Sequence, residues 1–211
     1  VWGHGSDRGR RRTTWIVSGM GALALGALLA VDALRLLAAG SLWGYALAIF
    51  AFAMIGAGVG AAGTSLLALL ATRVAPERRA AAASITWIMM VAGIVVTAGV
   101  AGALIDPFSL GRLTMVVECI AGGAFALTLL AVAGVEGKAA PAPVEPTSPE
   151  PDFRGALREM LADDDARQFT IFVFLSMLAY SMQDLILEPF AGLLFGFTPG
   201  QSTQLLSLIH I

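Results

Sequence analysis

Residues 42–71 read LWGYALAIFAFAMIGAGVGAAGTSLLALLA, thirty positions without a single Asp, Glu, Lys, Arg or His. A helix rises about 1.5 Å per residue and the hydrocarbon core of a bilayer is about 30 Å thick, so about 20 apolar residues cross it. A surface helix of a water-soluble domain would show polar residues along one face, and this stretch has no such face. It predicts a transmembrane helix. The same test selects four more spans, at 14–37, 81–105, 113–135 and 168–197. The fold class is therefore all-α, a polytopic membrane protein with five transmembrane helices.

Composition agrees with that reading. The 211 residues are 57% hydrophobic and 13% charged, where soluble domains carry about 25% charged residues. A net charge of −2 and the lack of a basic face with interleaved aromatics exclude nucleic acid as a partner. Cys119 is the one cysteine, so it forms no internal disulfide, and it reads as a small packing residue. The lipid bilayer is the first partner the sequence implies.

Short polar turns separate the spans, and their charges orient the chain. Eleven of the thirteen basic residues fall in the segments before span one, after span two and after span four. Arg35 and Arg112 lie at the opposite ends. By the positive-inside rule, residue 1 is expected on the cytoplasmic side of a bacterial inner membrane, cytoplasmic or intracytoplasmic, with span five running outward.

The domain organisation follows from composition. Residues 1–135 hold four spans. Residues 136–167 form a cytoplasmic linker with Pro141, Pro143, Pro146, Pro149 and Pro151, ending in a short amphipathic helix on which Phe153, Leu157, Met160 and Leu161 recur. Residues 168–205 begin a second half. Residues 206–211 resemble a translated adapter and are set aside as a non-native tail, so His210 enters no site. The chain reads as a piece cut at both ends.

Span two carries Gly56, Gly58, Gly60 and Gly63. Gly56 and Gly60 make a GxxxG pair, which predicts close helix approach through that face, either as static packing or as a gliding contact.

Chemistry concentrates in span five. Ser176, Tyr180, Asp184 and Glu188 recur in steps of four, with Gln183 beside them and Pro189 next. Asp184 lies fifteen residues past Phe169, hence about 22 Å into the core. An ionisable group inside a bilayer costs at least about 2.5 kcal/mol, so it is expected to face other helices or a cavity. Pro189 removes a helix hydrogen bond and predicts a kink or break. Tyr180, Gln183, Asp184 and Glu188 are the candidate substrate contacts; structural bonding to neighbouring helices is the competing role. Glu118, within span four, is expected to pair with Arg112 or to reach outward. No phosphate loop, Cys/His ligand cluster or serine–histidine pair is present, so the chain is not expected to be an enzyme and no metal site is assigned. Asp163, Asp164 and Asp165 read as a solvated run at a helix start.

Two resemblances narrow the reading. Gly3-x-x-x-Asp7-Arg8-Gly9-Arg10-Arg11-Arg12 resembles the cytoplasmic loop between the second and third helices of the major facilitator superfamily, with one residue fewer between Arg8 and Gly9. Ala75-Pro76-Glu77-Arg78-Arg79 falls where that superfamily has its next cytoplasmic loop. The resemblance implies that the five spans are the third to seventh of twelve, and that Asp7, Arg8 and Arg11 are cytoplasmic gate residues. Further along, Tyr180-Ser181-Met182-Gln183-Asp184-Leu185-Ile186-Leu187-Glu188-Pro189-Phe190 and Thr198-Pro199-Gly200-Gln201-Ser202-Thr203 resemble the seventh helix and following loop of the PucC family, the bacteriochlorophyll delivery branch of that superfamily. Weaker similarity runs through Asp106-Pro107-Phe108-Ser109-x-Gly111-Arg112.

The PucC resemblance implies a carrier-fold protein that delivers or holds bacteriochlorophyll during light-harvesting complex assembly, with the pigment as cargo, antenna polypeptides as partners and no resident cofactor. No histidine lies inside a span. Pigment magnesium, which prefers oxygen ligands, would therefore meet Gln183, Asp184, Glu188, Glu118, a backbone carbonyl or water. The alternatives are a proton-coupled transporter of a small amphiphile using Asp184 or Glu188, and a pigment-free docking factor for antenna subunits.

Overall fold

Hydrocarbon offers no partner for a backbone N–H or C=O, so an apolar run closes its hydrogen bonds within itself and becomes a helix. The computed structural model describes residues 12–135 and 153–209. Among these it has seven α-helices and no strand: α1 (Arg12–Ala38), α2 (Trp43–Arg73), α3 (Arg79–Ile105), α4 (Leu110–Val132), α5 (Phe153–Ala162), α6 (Asp164–Phe195) and α7 (Pro199–Ile209). A 3₁₀ turn, Pro76–Arg78, leads into α3. Five of the helices, α1 to α4 and α6, are long and apolar enough to cross a membrane. Their outward side chains are large and hydrophobic, such as Ile49 at 73% and Leu130 at 75% exposure. Contiguous apolar surface on that scale suits lipid or further helices, not water. The protein is a multi-pass membrane protein.

Helix ends are set by identifiable caps. Ser109 accepts the Arg112 N–H at 3.1 Å, so α4 starts at Leu110, three residues before the expected 113. It stops at Val132, short of the expected 135, and Gly134 follows in the left-handed region at φ 77°. Asp163 caps α6 by accepting from the Asp165 and Ala166 N–H groups at 2.9 and 3.2 Å. The acidic run is thus the start of the spanning helix itself.

The described residues divide into two compact units, one within Lys138–Phe197 and the other within Trp2–Gly137 and Thr198–Ile211. In the second unit, α1 and α2 form an antiparallel pair. Its seam is a row of small residues spaced by seven: Gly19, Gly26 and Ala33 on α1, and Gly44, Ala51, Gly58 and Ser65 on α2, all buried. A repeat of seven keeps one stripe facing its partner along two gently supercoiled helices. The backbones meet there. A Cβ on Gly58 would come within 2.5 Å of the Gly19 carbonyl oxygen, and one on Gly26 within 2.9 Å of the Ala51 oxygen. This corrects the GxxxG expectation: a Cβ on Gly56 would meet nothing within 4 Å. Gly56 lies off the seam because positions two apart on a helix point in different directions.

Arg12 locks one end of the pair, donating from Nη1 to the Ala68 carbonyl and to Thr72 Oγ1, both at 2.5 Å. At the other end Arg35 pairs with Asp32 at 3.1 Å and donates to Thr114 Oγ1 of α4 at 2.8 Å. Ala101 and Ile105 of α3 bury against Val116 of α4, with Leu113 and Ile120 beside them.

In the first unit, Arg167 turns back from α6 onto α5, donating to the Leu161 carbonyl at 3.2 Å, and pairs with Asp164 at 2.6 Å. As expected of one apolar span, α6 continues past Pro189, to Phe195. It ends at Gly196, whose φ of 66° is the left-handed cap. The span expected over 168–197 is α6, and the residues expected as the loop after it open a further helix, α7.

Candidate functional site

The four candidate contacts all lie on α6. Helical geometry sets Tyr180, Asp184 and Glu188 one above the next, with Gln183 on the adjoining edge. Tyr180, at 56% exposure, Gln183 and Glu188 are exposed, and the Asp184 side chain is outside the described set. Within its own unit α6 meets α5 near Leu161 and Arg167, some twenty residues before Gln183. Tyr180, Gln183 and Glu188 place a row of oxygen atoms along one spanning helix. Its far end is aromatic: the rings of Phe190 and Phe195 meet edge to face at 6.0 Å, and Phe195 and Phe197 lie 5.9 Å apart.

Of the two roles expected of Glu118, pairing with Arg112 does not form, since Arg112 Nη1 donates to the Asp106 carbonyl at 2.5 Å. Glu118 is exposed, in keeping with the outward alternative. Cys119, expected as a packing residue, is exposed. The gate candidates Asp7, Arg8 and Arg11 lie outside the described residues.

A second constellation went unread in the sequence. Thr198 precedes α7, and its Oγ1 accepts the Gln201 N–H at 3.2 Å while Gln201 Oε1 accepts the Thr198 N–H at 3.0 Å. This is a capping box, and Thr-x-x-Gln was its visible signal. The same hydroxyl donates to Asp106 Oδ2, ninety-two positions earlier, at 2.7 Å. Glycines allow it: a Cβ on Gly200 would fall 2.6 Å from the Asp106 carboxyl, and one on Gly102 2.6 Å from the Gly200 oxygen. Between α1 and α4 there is also an apolar cavity of about 240 Å³, lined by Met20, Leu23 and Ile120 among others. It has no polar side chain to orient a ligand.

A family model described as "PUCC protein" matches residues 1–211. The chain belongs to the PucC family. The PucC strings quoted above thus fall on the second half of α6 and the start of α7. Among curated relatives, the "Bacteriochlorophyll synthase 44.5 kDa chain" of Rhodobacter capsulatus is 52% identical over 97% of this chain and 47% of its own length. "Protein PucC" of Cereibacter sphaeroides is 30% identical over 96% of this chain and 45% of its own. An "Uncharacterized protein in puhA-bchM intergenic region" of Rhodobacter capsulatus is 32% identical over 79% and 35%. This PucC-family chain spans about half the length of the first two. No solved structure matches it.

Proposed function

We propose that this chain is part of a carrier-fold membrane protein, built on the twelve-helix plan of the major facilitator superfamily, that delivers or holds bacteriochlorophyll during light-harvesting complex assembly. The observation that carries the proposal is the 52% identity, over 97% of the chain, to a protein named for bacteriochlorophyll synthesis. The polar row of α6 supports it. Gln183 and Glu188 present oxygen donors on a spanning helix, and oxygen is what magnesium takes. Tyr180 adds an amphipathic ring at the level where a flat aromatic cargo would stack. In this reading Tyr180, Gln183, Asp184 and Glu188 touch the pigment, the antenna polypeptides receive it, and Asp7, Arg8 and Arg11 work at the cytoplasmic loop.

The name of that relative favours a second reading, a subunit of a synthesising enzyme. The two separate on turnover: a carrier retains pigment without altering it, whereas a synthase subunit changes its spectrum or mass.

The test is the near-infrared absorption of the full-length protein purified from a pigment-making host. Bacteriochlorophyll should co-purify unmodified. Gln183→Ala and Asp184→Asn should lower its retention about 10-fold, as loss of one hydrogen bond or ligand worth about 1–3 kcal/mol implies, while antenna polypeptides still co-purify. Unchanged retention removes these residues from the site, and pigment-free protein removes the cargo.

A further inference from the structure

The contact between α3 and α7 joins residues on either side of the 136–152 segment, and its chemistry is unbalanced. Thr198 Oγ1 satisfies Asp106 Oδ2 at 2.7 Å. The other carboxylate oxygen, Oδ1, is enclosed and has no hydrogen-bond partner among the described residues. Arg112 Nη1 donates to the Asp106 backbone carbonyl, at 2.5 Å, and not to its carboxylate. Enclosing an oxygen of a charged carboxylate without a partner opposes closure. Favouring closure are the dry approach of Gly102 to Gly200 and the shared hydroxyl of Thr198, which caps α7 and binds Asp106 at once.

We propose that Asp106, Thr198 and the Gly102–Gly200 contact form a releasable clasp between α3 and α7, and that the negative charge of Asp106 is what keeps it releasable. A contact meant only to be permanent would be served better by a neutral amide, which keeps the acceptor for Thr198 and drops the buried charge. Opening would free the start of α7 from α3 and wet the Asp106 carboxylate. The inference concerns this joint alone and is independent of the cargo.

Ser202 reports the state of the clasp. It is 6% exposed, one turn into α7, with its hydroxyl donating to the Pro199 carbonyl at 3.0 Å. In the full-length protein in membranes, with its native cysteines, Cys119 among them, replaced by serine, Ser202→Cys leaves one thiol to be timed with a membrane-impermeant maleimide. Gly200→Leu should label about 10-fold faster than this parent, because the added side chain has no room. Thr198→Val, which keeps the shape and removes the hydroxyl, should also label faster. Asp106→Asn should label several-fold more slowly. Gly99→Leu, on the same helix with open space around its Cβ, should match the parent and shows that a bulky residue in α3 is tolerated. Labelling of Asp106→Asn at the parent rate or faster makes Asp106 a plain structural tie and overturns the proposal. So does Gly200→Leu labelling at the parent rate.

Discussion

Gly58 sets the close approach of α1 and α2. Its missing Cβ lets α2 lie against the α1 backbone at Gly19, where even a methyl group would stand 2.5 Å from a carbonyl oxygen and 2.7 Å from the Leu23 nitrogen. Gly58→Leu is therefore expected to destabilise the α1–α2 pair by about 1–3 kcal/mol, the usual range for forced overpacking. Gly56→Leu, two residues away with nothing within 4 Å, should leave it unchanged. Unfolding of the purified protein in mixed micelles, followed by helicity, measures both. Ser65 is a milder case on the same seam. It is fully buried, and its hydroxyl has no partner among the described residues, so Ser65→Ala should be neutral or stabilising. The glycine ladder showed in the sequence that helices would touch here, but not through which face. Gly56, Gly58, Gly60 and Gly63 offer several, and the seven-residue row that decides the matter appears only when Gly44, Ala51 and Ser65 are counted with Gly58.

At the level of elements, the spans were legible because their cause is local. An uninterrupted apolar run has one stable conformation in oil, and all five expected spans form, with ends within a few residues of those expected. Asp163 belongs to the same local reading. One of three consecutive acids expected at a helix start, it accepts two N–H groups at the start of α6. Asp163→Ala should cost about 1 kcal/mol locally, seen as faster hydrogen exchange at the Asp165 and Ala166 amides with the rest of α6 unchanged. Pro189 lies inside α6, which runs on to Phe195 as the apolar run past it implies, because proline removes only one hydrogen bond of a long helix. The row from Tyr180 to Glu188 was legible for the same local reason, a repeat of four; what covers it was not. The joint of Asp106 with Thr198 was invisible because no local pattern predicts a partner ninety-two residues away.

Across the whole molecule, charge and hydrocarbon length are the organising quantities. The basic residues of residues 1–13, of the turn at Arg73, Arg78 and Arg79, and of the segment with Lys138, Arg154, Arg158 and Arg167 alternate with turns almost free of them. We infer from this that those segments share the cytoplasmic side, so that α6 runs outward and carries Asp184 about 22 Å beyond Phe169. The carrier reading needs this depth. Oxygen atoms on α6 matter as pigment contacts only if hydrocarbon surrounds the rest of that helix, since in water they would be ordinary surface groups. The most direct test is a single-cysteine scan of the full-length protein in intact membranes, its native cysteines, Cys119 among them, replaced by serine, labelled with a membrane-impermeant maleimide. Residues 42–71 and 169–188 should stay unlabelled except near their ends, while cysteines in the connecting turns react. Free labelling along either stretch would contradict the spanning helices and, with them, the placement of the pigment contacts.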